Sequence, residues 1–217
     1  MAINYSIIDS GNIDIVSRLE ICSREITGDM IVLYGDTITD INFHKMINFS
    51  SIKKESNQVY NSINRTFEVD KNNICQLISI AKENLSGKVR LCSHINKDEA
   101  VHEMFIVHPK GTYVRPHKHI NKIESMLVIE GVVDYLIFND DGKVREIIKM
   151  GDYESGKSFY QSTSANTYHG LLIHSEWLVF LEITKGPFIS EETLFASWSP
   201  ESSDHKIGLQ FINDQYV

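Results

Sequence analysis

The stretch Gly111-Thr112-Tyr113-Val114-Arg115-Pro116-His117-Lys118-His119-Ile120-Asn121-Lys122-Ile123-Glu124, closed by Gly131, decides how this chain is read. His117 and His119 stand two apart in a run with strand texture, so both imidazoles leave the same face of a sheet. Glu124 follows across a short turn, where the returning strand can bring its carboxylate to the same spot. Two imidazoles and one carboxylate on a rigid sheet make a divalent-metal site of the facial-triad kind. Alternation counted back from His117 also aims Arg115 and Tyr113 into that cavity.

Outward from this stretch, the chain between Val89 and Thr184 breaks into short β-branched and aromatic runs. The expected strands are Val89–His94, His102–Val107, Tyr113–His119, Ser125–Glu130, Val132–Asn139, Val144–Lys149, His169–Ile173 and Trp177–Thr184. Asp140-Asp141-Gly142 supplies a hairpin turn. Short strands at close spacing predict antiparallel sheets in a sandwich or barrel, and a double-stranded β-helix is the natural candidate. Before them, Asp70 is a good N-cap, Ile74, Leu77, Ile78 and Ala81 form one apolar stripe, and Gly87 marks the end. This predicts a helix over Asp70–Leu85 packed on the outside of the barrel. Earlier still, Ile15, Leu19, Cys22 and Ile26 recur at helical spacing, and Met30–Tyr34 and Thr37–Phe43 read as strands. Residues 1–58 are expected to be an extension of unknown role, 59–200 the β domain and 201–217 a tail.

The 217 residues carry a formal net charge of −8. That balance argues against a nucleic-acid partner, whose phosphates demand clustered Lys and Arg. No apolar run is long enough to span a bilayer and the start lacks a secretion signal, so a cytoplasmic protein with no membrane partner is expected. The cysteines, Cys22, Cys75 and Cys92, are odd in number and widely spaced, which reads as free thiols.

The spacing G-x5-H-x-H-x4-E-x6-G, filled at every fixed position, resembles the first motif of the cupin superfamily. Cupins complete their site from a second motif ending in P-x-G-x-x-H. Here the run is Ser164-Ala165-Asn166-Thr167-Tyr168-His169, with the histidine kept, the proline and glycine replaced, and Ile173 where the pattern has Asn. The resemblance implies a jelly-roll barrel holding one divalent transition metal (Zn, Fe, Mn or Ni) on His117, His119, Glu124 and His169, with His174 as the fallback ligand. It also implies a homodimer, since cupin barrels commonly pair.

A closer resemblance runs from about Tyr60 to Pro200. Arg90-Leu91-Cys92-Ser93-His94, Val101-His102-Glu103-Met104, the Tyr113–His119 run, Leu181–Phe188 and Phe195–Pro200 look like the WbuC-type cupins, a family often encoded among genes for surface polysaccharide synthesis. Its R-x-N-x-H motif matches at Arg90 and His94, with Cys92 in place of Asn. The resemblance implies that Arg90 and His94 line the metal pocket. With Arg115 and Lys118 they would suit an anionic or polyhydroxylated small molecule, because guanidinium grips carboxylate or phosphate bidentately. The alternative for the arginines is an internal carboxylate such as Glu103 or Glu182.

Three functions stay open. The metal can act as a Lewis acid on a sugar or nucleotide-sugar, as in an isomerase, epimerase or lyase, with His94, Glu103 or Tyr113 moving the proton. It can be Fe(II) in a dioxygenase. Or the barrel can bind a sugar without chemistry.

Overall fold

The computed structural model describes residues 52–215. The expected early helix, the two strands between Met30 and Phe43, and Cys22 lie outside the described residues. The described residues form two sheets. The first runs in the order β1 (Ile52–Lys54), β2 (Val59–Ser62), β3 (Val89–Cys92), β4 (Val101–Pro109), β11 (Trp177–Lys185), β6 (Glu124–Glu130) and β9 (Tyr160–Thr163). The second runs β12 (Thr193–Phe195), β5 (His117–His119), β10 (Tyr168–Ile173), β7 (Val132–Phe138) and β8 (Val144–Gly151). After β4 the chain crosses between the sheets at nearly every connection. This winding is a double-stranded β-helix of the cupin type, mainly β as expected.

Alternation builds the interior. From the first sheet Met104, Ile106, Met126, Val128, Leu178 and Phe180 face inward, and from the second Val133, Tyr135, Ile137, Met150, Leu171 and Ile173 meet them. Each such side chain withdrawn from water contributes roughly 1.5–3 kcal/mol. The outer faces are closed by helices. Helix α1 (Lys71–Glu83) begins with a capping box, in which Asp70 accepts from the Asn73 amide and Asn73 from the Asp70 amide. Its Ile74, Leu77 and Ala81 cover Val89, Leu91, Val107 and Val179 of the first sheet. Helix α2 (His205–Asp214) places Ile212 against Tyr113, Leu136 and Phe138 on the second. Gly208 lets α2 come this close, because a Cβ there would lie 2.3 Å from the Tyr113 ring. Among the described residues no helix is long and apolar enough to cross a membrane.

Gly131, the closing glycine of the first motif, has φ 100°, and a Cβ on it would sit 2.4 Å from Ser175 Oγ and the Trp177 carbonyl. The turn from β6 to β7 therefore needs glycine on two counts.

The structure departs from the expected elements in several places. The strand expected over Tyr113–His119 begins only at His117, because Pro116 has no N–H to give a ladder. Strands β1, β2, β9 and β12 were not expected, being short and polar or isolated. The tail after Pro200 contains helix α2.

Candidate metal centre

Strand β5 supplies His117 and His119, the start of β6 supplies Glu124, and β10 supplies His169. Register brings the last into place, since His169 lies directly opposite His117. One donor atom from each of the four falls within 4.8 Å of the others, so the group could hold a metal ion. The imidazoles are turned the same way. Nδ1–H of His117 donates to the Arg115 carbonyl at 2.9 Å and that of His169 to the Thr167 carbonyl at 3.0 Å. His119 Nδ1 meets Thr193 Oγ1 at 3.1 Å. The carbonyl acceptors hold the His117 and His169 rings in the tautomer that leaves Nε2 free for a metal, and the Thr193 hydroxyl can accept from His119 Nδ1 in the same way. His119 Nε2 lies 2.8 Å from one Glu124 oxygen and His169 Nε2 3.5 Å from the other. His169 Nε2 is buried with no hydrogen-bond partner, which a metal ion would supply. The residues present therefore fit a divalent ion.

The electrostatics are those of groups crowded out of water. Burial pushes His117 down to about 4, helped by His169. Burial would raise the Glu124 carboxyl, but His169, His119 and His117 outweigh it and hold the group far below the usual carboxylate range. Burial likewise opposes charge on His169, yet Glu124 lifts it above an ordinary histidine. The Tyr135 ring stacks on His169 with centroids 5.5 Å apart, and its hydroxyl bonds Thr163 at 2.9 Å.

The replaced second motif keeps its turn. Asn166, where the motif has glycine, adopts φ 61°, the left-handed region that Asn tolerates best after Gly. Its N–H donates to the His119 carbonyl at 2.7 Å, tying the second motif to the first.

Several site residues stand elsewhere than alternation placed them. Tyr113 precedes the strand proper; it is buried against α2 and donates to the Pro200 carbonyl at 2.9 Å. Arg115 is likewise turned away. Its guanidinium lies 5.1 Å over the Phe195 ring, pairs with Glu201, and reaches Ser199 Oγ at 3.2 Å and the Ala196 carbonyl at 3.4 Å. Counting by twos fails for both because Pro116 ends the ladder. Lys118 sits between two inward histidines, so it must point outward; its ammonium covers the Tyr168 ring at 4.3 Å and faces Asp140 at 3.7 Å. Glu103 lies on the exposed face of β4, opposite in parity to Met104, and accepts from Ser93 Oγ at 3.0 Å. His174 follows the end of β10 and bonds Asp134 at 2.8 Å, outside the ligand group.

Arg90 and His94 fall on the other sheet from β5. Arg90 is on the inward side of β3, with Nη1 4.0 Å from Met104 Sδ. Beyond β3, His94 stacks on His102 at 4.1 Å, and burial followed by the His102 charge lowers its affinity for a proton. Cys92 is buried, and its thiol is pushed up to about 11, mainly by burial, so it is no nucleophile at neutral pH. Glu182 on β11, the internal carboxylate expected as the alternative partner of the arginines, is raised well above the usual carboxylate range by burial and then by Glu124, against the pull of Arg90. One interior residue was not foreseen: Thr193 on β12 meets His119, and nothing in the sequence marked it.

Residues 69–150 match a domain family described only as a domain of unknown function, DUF6016. A search of curated proteins returns no match. Among solved structures, the chain is similar to oxalate decarboxylase from Bacillus subtilis at pH 4.6, with 17% identity over 50% of this chain and 27% of that one and a TM-score of 0.40. It is also similar to Lactobacillus farciminis oxalate decarboxylase in its formate complex, with 16% identity over 46% of this chain and 28% of that one, TM-score 0.36. Protein SO0799 of Shewanella oneidensis shares 10% identity over 62% of this chain and 93% of its own, TM-score 0.46. The chain spans only about a quarter of the length of the oxalate decarboxylases it matches.

Proposed function

We propose that this metal-binding cupin acts on a sugar or nucleotide-sugar by Lewis-acid-assisted proton transfer, in the manner of an isomerase, epimerase or lyase. The observation that carries the reading is the inward-facing group of three Nε2 atoms and one carboxylate, gathered within 4.8 Å. The sugar is supported by the resemblance of Arg90–His94 and the flanking runs to WbuC-type cupins. A bound divalent ion would polarise a hydroxyl or carbonyl oxygen and make the adjacent proton easier to remove. His117, His119, Glu124 and His169 would hold it, with Arg115, Thr167 and Thr193 orienting the imidazoles. Ligand oxygens would complete the shell of an ion held by these four side chains. Arg90 would receive the anionic part of the ligand. With Tyr113 and Glu103 turned away from the cavity, His94 is the acid/base group left from the sequence reading. Its depressed proton affinity keeps the ring neutral, so it can accept a proton, though as a weaker base than a free histidine. The protein would work as a homodimer in the cytoplasm, which its mass in solution checks in part.

The test is a screen of nucleotide-activated sugars against metal-loaded native protein and His117→Ala. Saturable binding or turnover confined to the loaded native protein is expected. Iron in the purified protein together with oxygen uptake would favour a dioxygenase instead.

A further inference from the structure

We propose that the cavity wall beside the metal group binds a hydroxylated chain or ring that ends in a negative charge, held by Gln161, Glu182 and Arg90. This rests on the metal reading above and goes beyond it by naming the ligand's shape. Register sets Gln161, Met126, Glu182 and Met104 side by side across β9, β6, β11 and β4. The neighbouring row is Thr163, Glu124, Thr184 and His102, so both rows face inward with the ligand Glu124 among them.

Gln161 is 7% exposed. Its Oε1 accepts from the Thr163 hydroxyl at 2.8 Å, which locks the carboxamide. Among the described residues its Nε2 is buried with no hydrogen-bond partner. A desolvated amide donor left unmade costs on the order of 1–3 kcal/mol, so this position calls for an acceptor that the described residues do not supply. The β3 end of that row is Cys92; Arg90 lies one row along, opposite Ile106, with its guanidinium reaching over to Met104 and forming no ion pair among the described residues. Glu182 stands on β11 between Gln161 and that guanidinium, and its carboxyl matches a hydroxyl group. The inner face of this sheet thus offers a fixed amide donor and a carboxyl in one row, and a guanidinium that reaches in from the next.

The spacing limits the ligand. Met104 is on the second strand from Glu124, two strand spacings or about 10 Å away. A three-carbon diacid chelated at the metal group is too short to reach the guanidinium. A six-carbon sugar acid or sugar phosphate is long enough, and its hydroxyls pass Glu182 and Gln161 on the way.

The experiment uses full-length protein whose metal content is first measured, titrated calorimetrically with glucuronate, glucose 6-phosphate, glucose and malonate. Arg90→Gln and Gln161→Leu are run beside it. The expected result is binding of glucuronate or glucose 6-phosphate, the better of the two telling carboxylate from phosphate. Glucose and malonate should bind at least about tenfold more weakly, and each variant should weaken the anionic sugar by about tenfold at unchanged metal content. Arg90 is exposed on its strand, so Arg90→Gln decides the matter even where Gln161→Leu lowers stability. Loaded native protein that ignores all the probes, or prefers malonate, overturns the proposal, as does Arg90→Gln binding like native. Native protein that takes up no metal overturns the metal reading, and this one falls with it.

Discussion

The two walls of the barrel cavity are built on opposite plans. On the wall carrying β5 and β10, each outward ring nitrogen of the three histidines already has a hydrogen-bond partner, so the rings are oriented by the chain alone. On the wall carrying β9, β11, β4 and β3, Gln161 Nε2 and His108 Nδ1 are buried with no hydrogen-bond partner, and Arg90 forms no ion pair, among the described residues. The first wall is ordered by the chain itself and would take an ion as it stands. The second would be completed by the ligand proposed above.

Removing a ligand is the strongest way to break this contrast. His169→Ala or His119→Ala should reduce metal, measured by elemental analysis, from near one per chain to a small fraction. A fully loaded variant would remove the preorganised wall from the account. A sharper probe is Thr193→Val, which deletes only the hydrogen-bond partner of His119 Nδ1. Losing the hydrogen bond behind a ligating imidazole weakens metal affinity by about 10–100-fold, and competition with a chelator should show that while the fold stays intact.

Acid should distinguish the walls in the metal-free protein. Burial holds His108 down to about 3 from an ordinary 6.5, with Lys88 and Arg90 adding to the effect. Between those values the unfolded chain binds a proton that the folded chain refuses, so stability falls as pH is lowered through the window. The slope from this one group is at most about 1.4 kcal/mol per pH unit. Denaturant titrations of the metal-free protein should show the fall, and His108→Phe should flatten it. Arg115→Ala comes next. Because the Arg115 side chain is 11% exposed and that of Glu201 68%, the loss should be modest, about 1–2 kcal/mol, with metal retained. Glu103→Gln, on the outer face of β4, should leave metal content and melting temperature unchanged.

What the sequence disclosed follows from how local each feature is. His117, His119 and Glu124 lie within one hairpin, so strand period and turn length suffice to join them. His169 needed the resemblance, because only the β5–β10 pairing brings it opposite His117. Tyr113 and Arg115 were misaimed for a local reason that was visible, since Pro116 cannot continue a ladder. Thr193 could not be read at all. Its strand has three residues and exists because β5 offers an edge, which is a tertiary fact. Helix α2 was hidden by Gly208, a poor helix former kept for its fit to Tyr113. Lys118 and Glu103 show the opposite error, since simple parity with His117 and Met104 already turned both away.

Strand β12 has a kinetic consequence. It holds two ligand residues at once, Thr193 opposite His119 and Phe195 opposite His117, yet it is a three-residue edge strand. Short peripheral elements open at a small fraction of the free energy of global unfolding. Exchange of a bound ion with solvent should then follow the breathing of this strand, so its rate would be set by the amide protection of residues 193–195 and be blind to the stability of the barrel core.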